Sequence, residues 1–70
     1  MRVYVLTYKP QNVSGNILLG LFFSKDKTIQ EIESWLDPGE KIIDRAQTDY
    51  DGYTIWTNYG IYTVEGREVQ

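Results

Sequence analysis

The chain has 70 residues, among them ten aromatics but no cysteine and no histidine, and it carries 7 basic against 10 acidic side chains for a net charge of −3. That length bounds it to one domain with a thin margin of stability, since a chain of this size buries only about 60% of its unfolded surface. Disulfide bracing, thiolate and imidazole metal ligands and the common nucleophile–base pairs are all excluded, so neither an enzyme nor a protein built on a metal or another cofactor is expected.

Met1-Arg2-Val3-Tyr4-Val5-Leu6 sets a charge before apolar residues. Thr7-Tyr8-Lys9-Pro10 breaks that run with no small-residue cleavage site, so a signal peptide is not expected. Residues 2–8 alternate, with Val3, Val5 and Thr7 on one face and Tyr4, Leu6 and Tyr8 on the other. Both faces are apolar or aromatic, which predicts a central strand covered at least in part on both sides. Pro10 is expected to end it, and residues 11–16 read as a loop. The apolar run 17–23 is interrupted by Gly20 and is too short to span a bilayer. It predicts a second strand, able to form an antiparallel hairpin with the first. No membrane association is expected, and a cytoplasmic location follows.

Thr28-Ile29-Gln30-Glu31 fits a capping box with Thr28 as N-cap, and Asp26 is an alternative cap. Ile29, Ile32, Trp35 and Leu36 then form one apolar stripe at helical spacing. Pro38 disfavours helical geometry at Asp37, and Asp37-Pro38-Gly39-Glu40 places Pro and Gly at the centre of a type II turn. The rest reads as a meander. A strand over 41–50 leads to the hairpin signal Asp51-Gly52, a strand over 53–57, a turn at Thr57-Asn58-Tyr59-Gly60 closed by a glycine bulge, and a strand over 61–65. The order β-β-α-β-β-β predicts an α+β fold, a small antiparallel sheet of about five strands with one short helix on one face.

Between Tyr50 and Tyr62 an aromatic recurs at every third position, as Tyr50, Tyr53, Trp56, Tyr59 and Tyr62. A two-residue loop at 51–52 pairs Tyr50 with Tyr53 and Gln47 with Trp56; a three-residue loop at 58–60 pairs Trp56 with Tyr62 and Ile55 with Thr63. On that register Tyr53, Ile55, Thr57, Ile61 and Thr63 share the helix-covered face. Trp56 and Tyr62 share the other face with Arg45, Gln47 and Asp49, and Tyr59 stands at a turn tip. Exposed Trp and Tyr are favoured anchors at protein interfaces. The expected partner-binding set is therefore Trp56, Tyr59 and Tyr62, with Arg45, Asp49 and Asp51 as a polar rim.

Asp51 is what a tight turn wants, so a catalytic Asp49–Asp51 pair is not expected, and Asp49-Tyr50-Asp51-Gly52 is too short for a calcium loop. These features predict a small non-enzymatic module that binds another protein, for example a phage or viral inhibitor or regulator acting in the host cytoplasm. One alternative is a protein that stacks single-stranded nucleic acid on the aromatic face, against which the acidic residues weigh. Another is a self-associating structural protein, a homo-oligomer joined by an open edge strand or by the aromatic face.

Overall fold

The computed structural model describes residues 1–49 and 51–69, with Asp49 by its backbone alone. The expected partnership of Tyr50 with Tyr53 lies outside them. The fold is α+β. Strands β1 (Arg2–Pro10), β2 (Ile17–Phe22), β3 (Ile42–Asp49), β4 (Gly52–Thr57) and β5 (Gly60–Glu68) surround one helix, α1 (Lys25–Trp35), in chain order β-β-α-β-β-β. The sheet is antiparallel throughout, with spatial order β2-β1-β5-β4-β3. β1 thus has β2 on one side and β5 on the other. α1 crosses one face of the sheet as the chain passes from the β2 edge to the β3 edge.

β1 runs on to Pro10, which pairs with Gly60. Its partnership with β2 has already ended at Tyr8, opposite Ile17. On that side no strand asks for an amide hydrogen, so the missing N–H of Pro10 interrupts nothing.

The helix begins earlier than the capping box predicts. Ser24 is the N-cap, in extended geometry, and its hydroxyl accepts from the Lys27 amide at 3.3 Å. Thr28 lies inside the first turns, fully buried, and its hydroxyl donates to the Ser24 carbonyl at 2.6 Å. The sheet decides between two adequate caps: burying Thr28 requires it to be helical already. The helix ends before Asp37-Pro38, and Gly39 has the positive φ of +87° that a type II turn requires at that place.

The core lies between α1 and the face carrying Leu6, Ile55, Tyr62 and Val64, with Ile32 inserted from the helix. Ile29 and Leu36 flank it, and Tyr4, Tyr8, Phe22, Ile42 and Tyr53 close its sides. One eleven-residue helix covers one face only, so the face of β1 that bears Val3 and Val5 has no layer over it. The two-sided cover expected for that strand is replaced by partial shielding from neighbouring side chains in the sheet.

Candidate functional site

The turn from β4 to β5 fixes which aromatics meet. The Thr57 hydroxyl accepts from the amides of Tyr59 and Gly60, both at 3.1 Å, and donates to the Glu40 carboxylate at 2.7 Å. Between the end of β4 at Thr57 and the start of β5 at Gly60 only Asn58 and Tyr59 lie outside the strands, and the ladder has Trp56 opposite Ile61 and Ile55 opposite Tyr62. This is one residue away from the expected register, and a one-residue slip turns a whole strand over. Gly60 has no positive φ, so it forms no left-handed bulge. It is required by close approach, because a Cβ there would stand 2.5 Å from the Lys9 carbonyl oxygen.

Tyr62 therefore points under the helix and is 6% exposed, its ring centroid 4.5 Å from that of Tyr8. Its hydroxyl reaches Glu40 at 3.5 Å. Burial, reinforced by the Glu40 charge, pushes the Tyr62 phenol up to about 12. Trp56 stays on the opposite, uncovered face, separated from Tyr62 by the thickness of the sheet.

Tyr59 stands at the turn as expected and is 40% exposed, but it does not stand free. It lies on the 37–40 turn, with its hydroxyl donating to the Pro38 carbonyl at 3.3 Å and standing where a Cβ on Gly39 would be. Asn58 ties the same two turns, donating to the Gly39 carbonyl at 3.0 Å and accepting from the Lys41 amide at 2.7 Å. Glu40, itself buried, accepts from the Asp37 amide at 3.0 Å. The two loops form one hydrogen-bonded unit, which gives the buried Glu40 carboxylate and Thr57 hydroxyl their partners while Asp37, Pro38, Gly39, Asn58 and Tyr59 stay exposed.

Arg45 and Asp51 of the expected polar rim lie away from Trp56. β3 is offset by two irregularities, so Arg45 pairs with Ile55 and Asp44 with Trp56. Arg45 thus lies on the helix side, 4.0 Å from Glu33 of α1. Asp49 contributes its pairing with Gly52. Asp51 sits at the far end of the sheet, where its carboxylate accepts from Arg2 Nε and from the Tyr4 hydroxyl at 3.4 Å. The Arg2 guanidinium, with lesser help from Tyr4, holds the Asp51 carboxyl below the usual carboxylate range.

What surrounds Trp56 is a mixed face on which Ile61 stands beside Lys9 and Asp44, and the same face carries Thr7, Glu65 and Arg67 farther along. Paired residues share a face, so the uncovered face carries Val3 and Val5 of β1, Leu18 and Leu21 of β2, Ile61 and Thr63 of β5, and Thr54 and Trp56 of β4. At the β3 side of this face a hollow of about 520 Å³ opens between Trp56, Ile61 and Ile43, with Lys9, Asp44 and the 10–12 segment at its margin. Ile43 is 68% exposed there. The sequence pointed to Trp56 but not to Ile43, Ile61, Leu18 or Leu21. The usable signal was the Val3/Val5 alternation beside the single helical stripe, since one stripe can cover only one of two apolar sheet faces.

Among the described residues no buried side-chain nitrogen or oxygen lacks a partner, and no helix is long and apolar enough to cross a membrane. Compared with family models, with curated proteins and with solved structures, the chain matches none.

Proposed function

We propose that the chain is a non-enzymatic binding module that docks on another protein through the uncovered sheet face, with Trp56 as its anchor. One observation carries this reading: the half-buried Trp56 lies on a sheet face with no layer over it, and with Ile61 and Ile43 it borders a hollow of about 520 Å³. An exposed apolar patch rimmed by polar residues commonly marks an interaction site. An apolar side chain of the partner would enter the hollow against Trp56, Ile61 and Ile43, while Lys9 and Asp44 form the polar margin. Apolar centre and charged rim is the ordinary anatomy of a protein interface.

Base stacking on the same face is less well supported. Arg45 is on the other side of the sheet beside Glu33, and Arg67 pairs with Glu65 at 2.7 Å, so the face offers no basic track for a phosphate backbone.

Three forms of the protein, used as bait in an extract of the cells that make it, test the reading. The parent and Gln30→Lys, altered on the exposed side of the helix, should retain the same partner, and Trp56→Ala should weaken its binding at least tenfold. Equal capture by Trp56→Ala, or loss through Gln30→Lys alone, overturns the assignment.

A further inference from the structure

The sheet has two edges of different character. β3 carries Asp44, Arg45 and Asp49 within the strand, charges that keep an edge from pairing with another chain, and two breaks of register against one in β2. β2 has β1 on one side and no strand on the other, and it contains neither a charge nor a proline. Exposed apolar side chains gather there: of the eleven large hydrophobics that are exposed among the described residues, Ile17, Leu18, Leu19, Leu21 and Phe23 fall in one seven-residue stretch.

We infer that β2 pairs with β2 of a second copy, about a two-fold axis, to form a symmetric dimer with a continuous ten-stranded sheet. An irregularity in the strand selects the register. The pairing with β1 passes from Leu6–Gly20 to Thr7–Leu18, so Leu19 is an extra residue. Leu18 and Leu21, three apart, consequently share the uncovered face, opposite Thr7 and Val5; Ile17 and Phe22 share the helix face, opposite Tyr8 and Tyr4. Antiparallel pairing of Leu18 with the second copy's Leu21 then also matches Ile17 with Phe22 and Leu19 with Gly20. Every pair of side chains outside the bulge meets on its own face. A register shifted by one residue either way sets Leu18 against Gly20 or Phe22 of the opposite face. Beyond the strand, the same register brings Lys25 opposite Ser14, so no like charges meet.

Size places this dimer in the weak class. An apolar side chain offers roughly 100 Å² for burial, so five partly exposed ones supply on the order of 300 Å² per copy, less than half of the ~800 Å² per partner of a standard interface. The unpaired backbone edge adds a hydrogen-bonded ladder. Dissociation on the order of tens to hundreds of micromolar is expected.

Sedimentation equilibrium over roughly 5 to 500 µM tests this, in a range set by the area estimate above. The parent mass should rise from monomer toward twice that value. Leu18→Lys, which sets a charge against Leu21 at the axis, should raise the dissociation constant at least tenfold with an unchanged far-ultraviolet dichroism spectrum. Ile43→Lys, equally exposed but on the β3 side of the same face, should leave it unchanged, as should Trp56→Ala. A parent that stays monomeric throughout overturns the inference. So does association lost in Ile43→Lys or Trp56→Ala but kept in Leu18→Lys, which would assign it to the open face. The proposed partner docking stands or falls separately, on the Trp56→Ala capture result.

Discussion

Leu6 and Val5 are chain neighbours on β1, and Ile55 and Trp56 are neighbours on β4, yet each pair is divided by the plane of the sheet. Leu6 and Ile55 lie fully buried beneath α1; Val5 and Trp56 lie on the side with no second layer. At these four positions the residues are all apolar, so hydropathy alone does not rank them. What ranks them is the supply of cover: one helix, with Ile29, Ile32 and Leu36 as its contact stripe, serves one face. Stability should therefore concentrate on the helix side and recognition on the other, and substitutions on the two faces should separate these properties.

The largest effect is expected at Ile32. It is the apolar helix side chain that is fully buried against the sheet, and truncation to alanine removes three carbons from that packing. Ile32→Ala should cost about 3 kcal/mol in urea unfolding, a large part of the ~4–10 kcal/mol available to a domain of this size. A loss below about 1 kcal/mol would mean that the helix face is not the stabilising one.

The second effect is a dependence on alkaline pH. At neutral pH the Tyr62 phenol is uncharged in both folded and unfolded chains, and its favourable burial is fully present. Above pH 10 the unfolded chain ionises first, while the folded phenol holds its proton until about 12. The unfolded state then binds fewer protons, so stability falls with rising pH across that window, by about 2–3 kcal/mol. Burial shifts the Tyr8 phenol in the same direction. Tyr62→Phe should remove most of the decline, measured as urea midpoints from pH 9 to 12, whereas Trp56→Phe on the open face should leave the slope unchanged.

Thr57→Val tests the turn that separates the two faces. It keeps the shape but deletes the hydroxyl shared by the Tyr59 and Gly60 amides and the buried Glu40 carboxylate. Leaving these groups without their partner should cost about 2 kcal/mol. If the hydroxyl also sets the loop length, amide exchange in 58–62 should accelerate more than exchange in β1.

Much of the architecture was legible. Helix stripe, Pro-Gly turn and the chain order of the strands follow from local chemistry, because periodicity and turn residues act over a few positions, whereas the long-range pairing of β1 with β5 does not. The candidate site was less so. Its composition depends on register, and register turned on a single residue in the 57–60 loop, where a threonine hydroxyl rather than a left-handed glycine completes the turn. Tyr59 stands exposed at the turn as expected, but its contact with the 37–40 turn, some twenty residues away in sequence, is invisible to any local pattern. Arg45 changed face through irregularities in β3 that no residue type announces. Trp56 kept its place because β4 is regular and its faces follow from alternation alone.

The smallest effect on stability, and the sharpest contrast with Ile32, is expected at Leu21. It too is a branched aliphatic on a regular element, but it is 62% exposed on the uncovered face. Leu21→Thr removes apolar surface that contributes little to the folded state and introduces a β-branched residue suited to a strand, so unfolding free energy should change by no more than about 0.5 kcal/mol. The same change should lower the binding of an apolar dye such as ANS to the native protein, because the surface removed is the surface such a dye would use. A loss approaching that of Ile32→Ala would mean that Leu21 is packed against something in the native state. Since no layer of its own chain lies over it, that something would be another molecule. The concentration dependence of the loss would then distinguish a second copy at the β2 edge, whose contribution grows with protein concentration, from a rearranged monomer, whose stability does not.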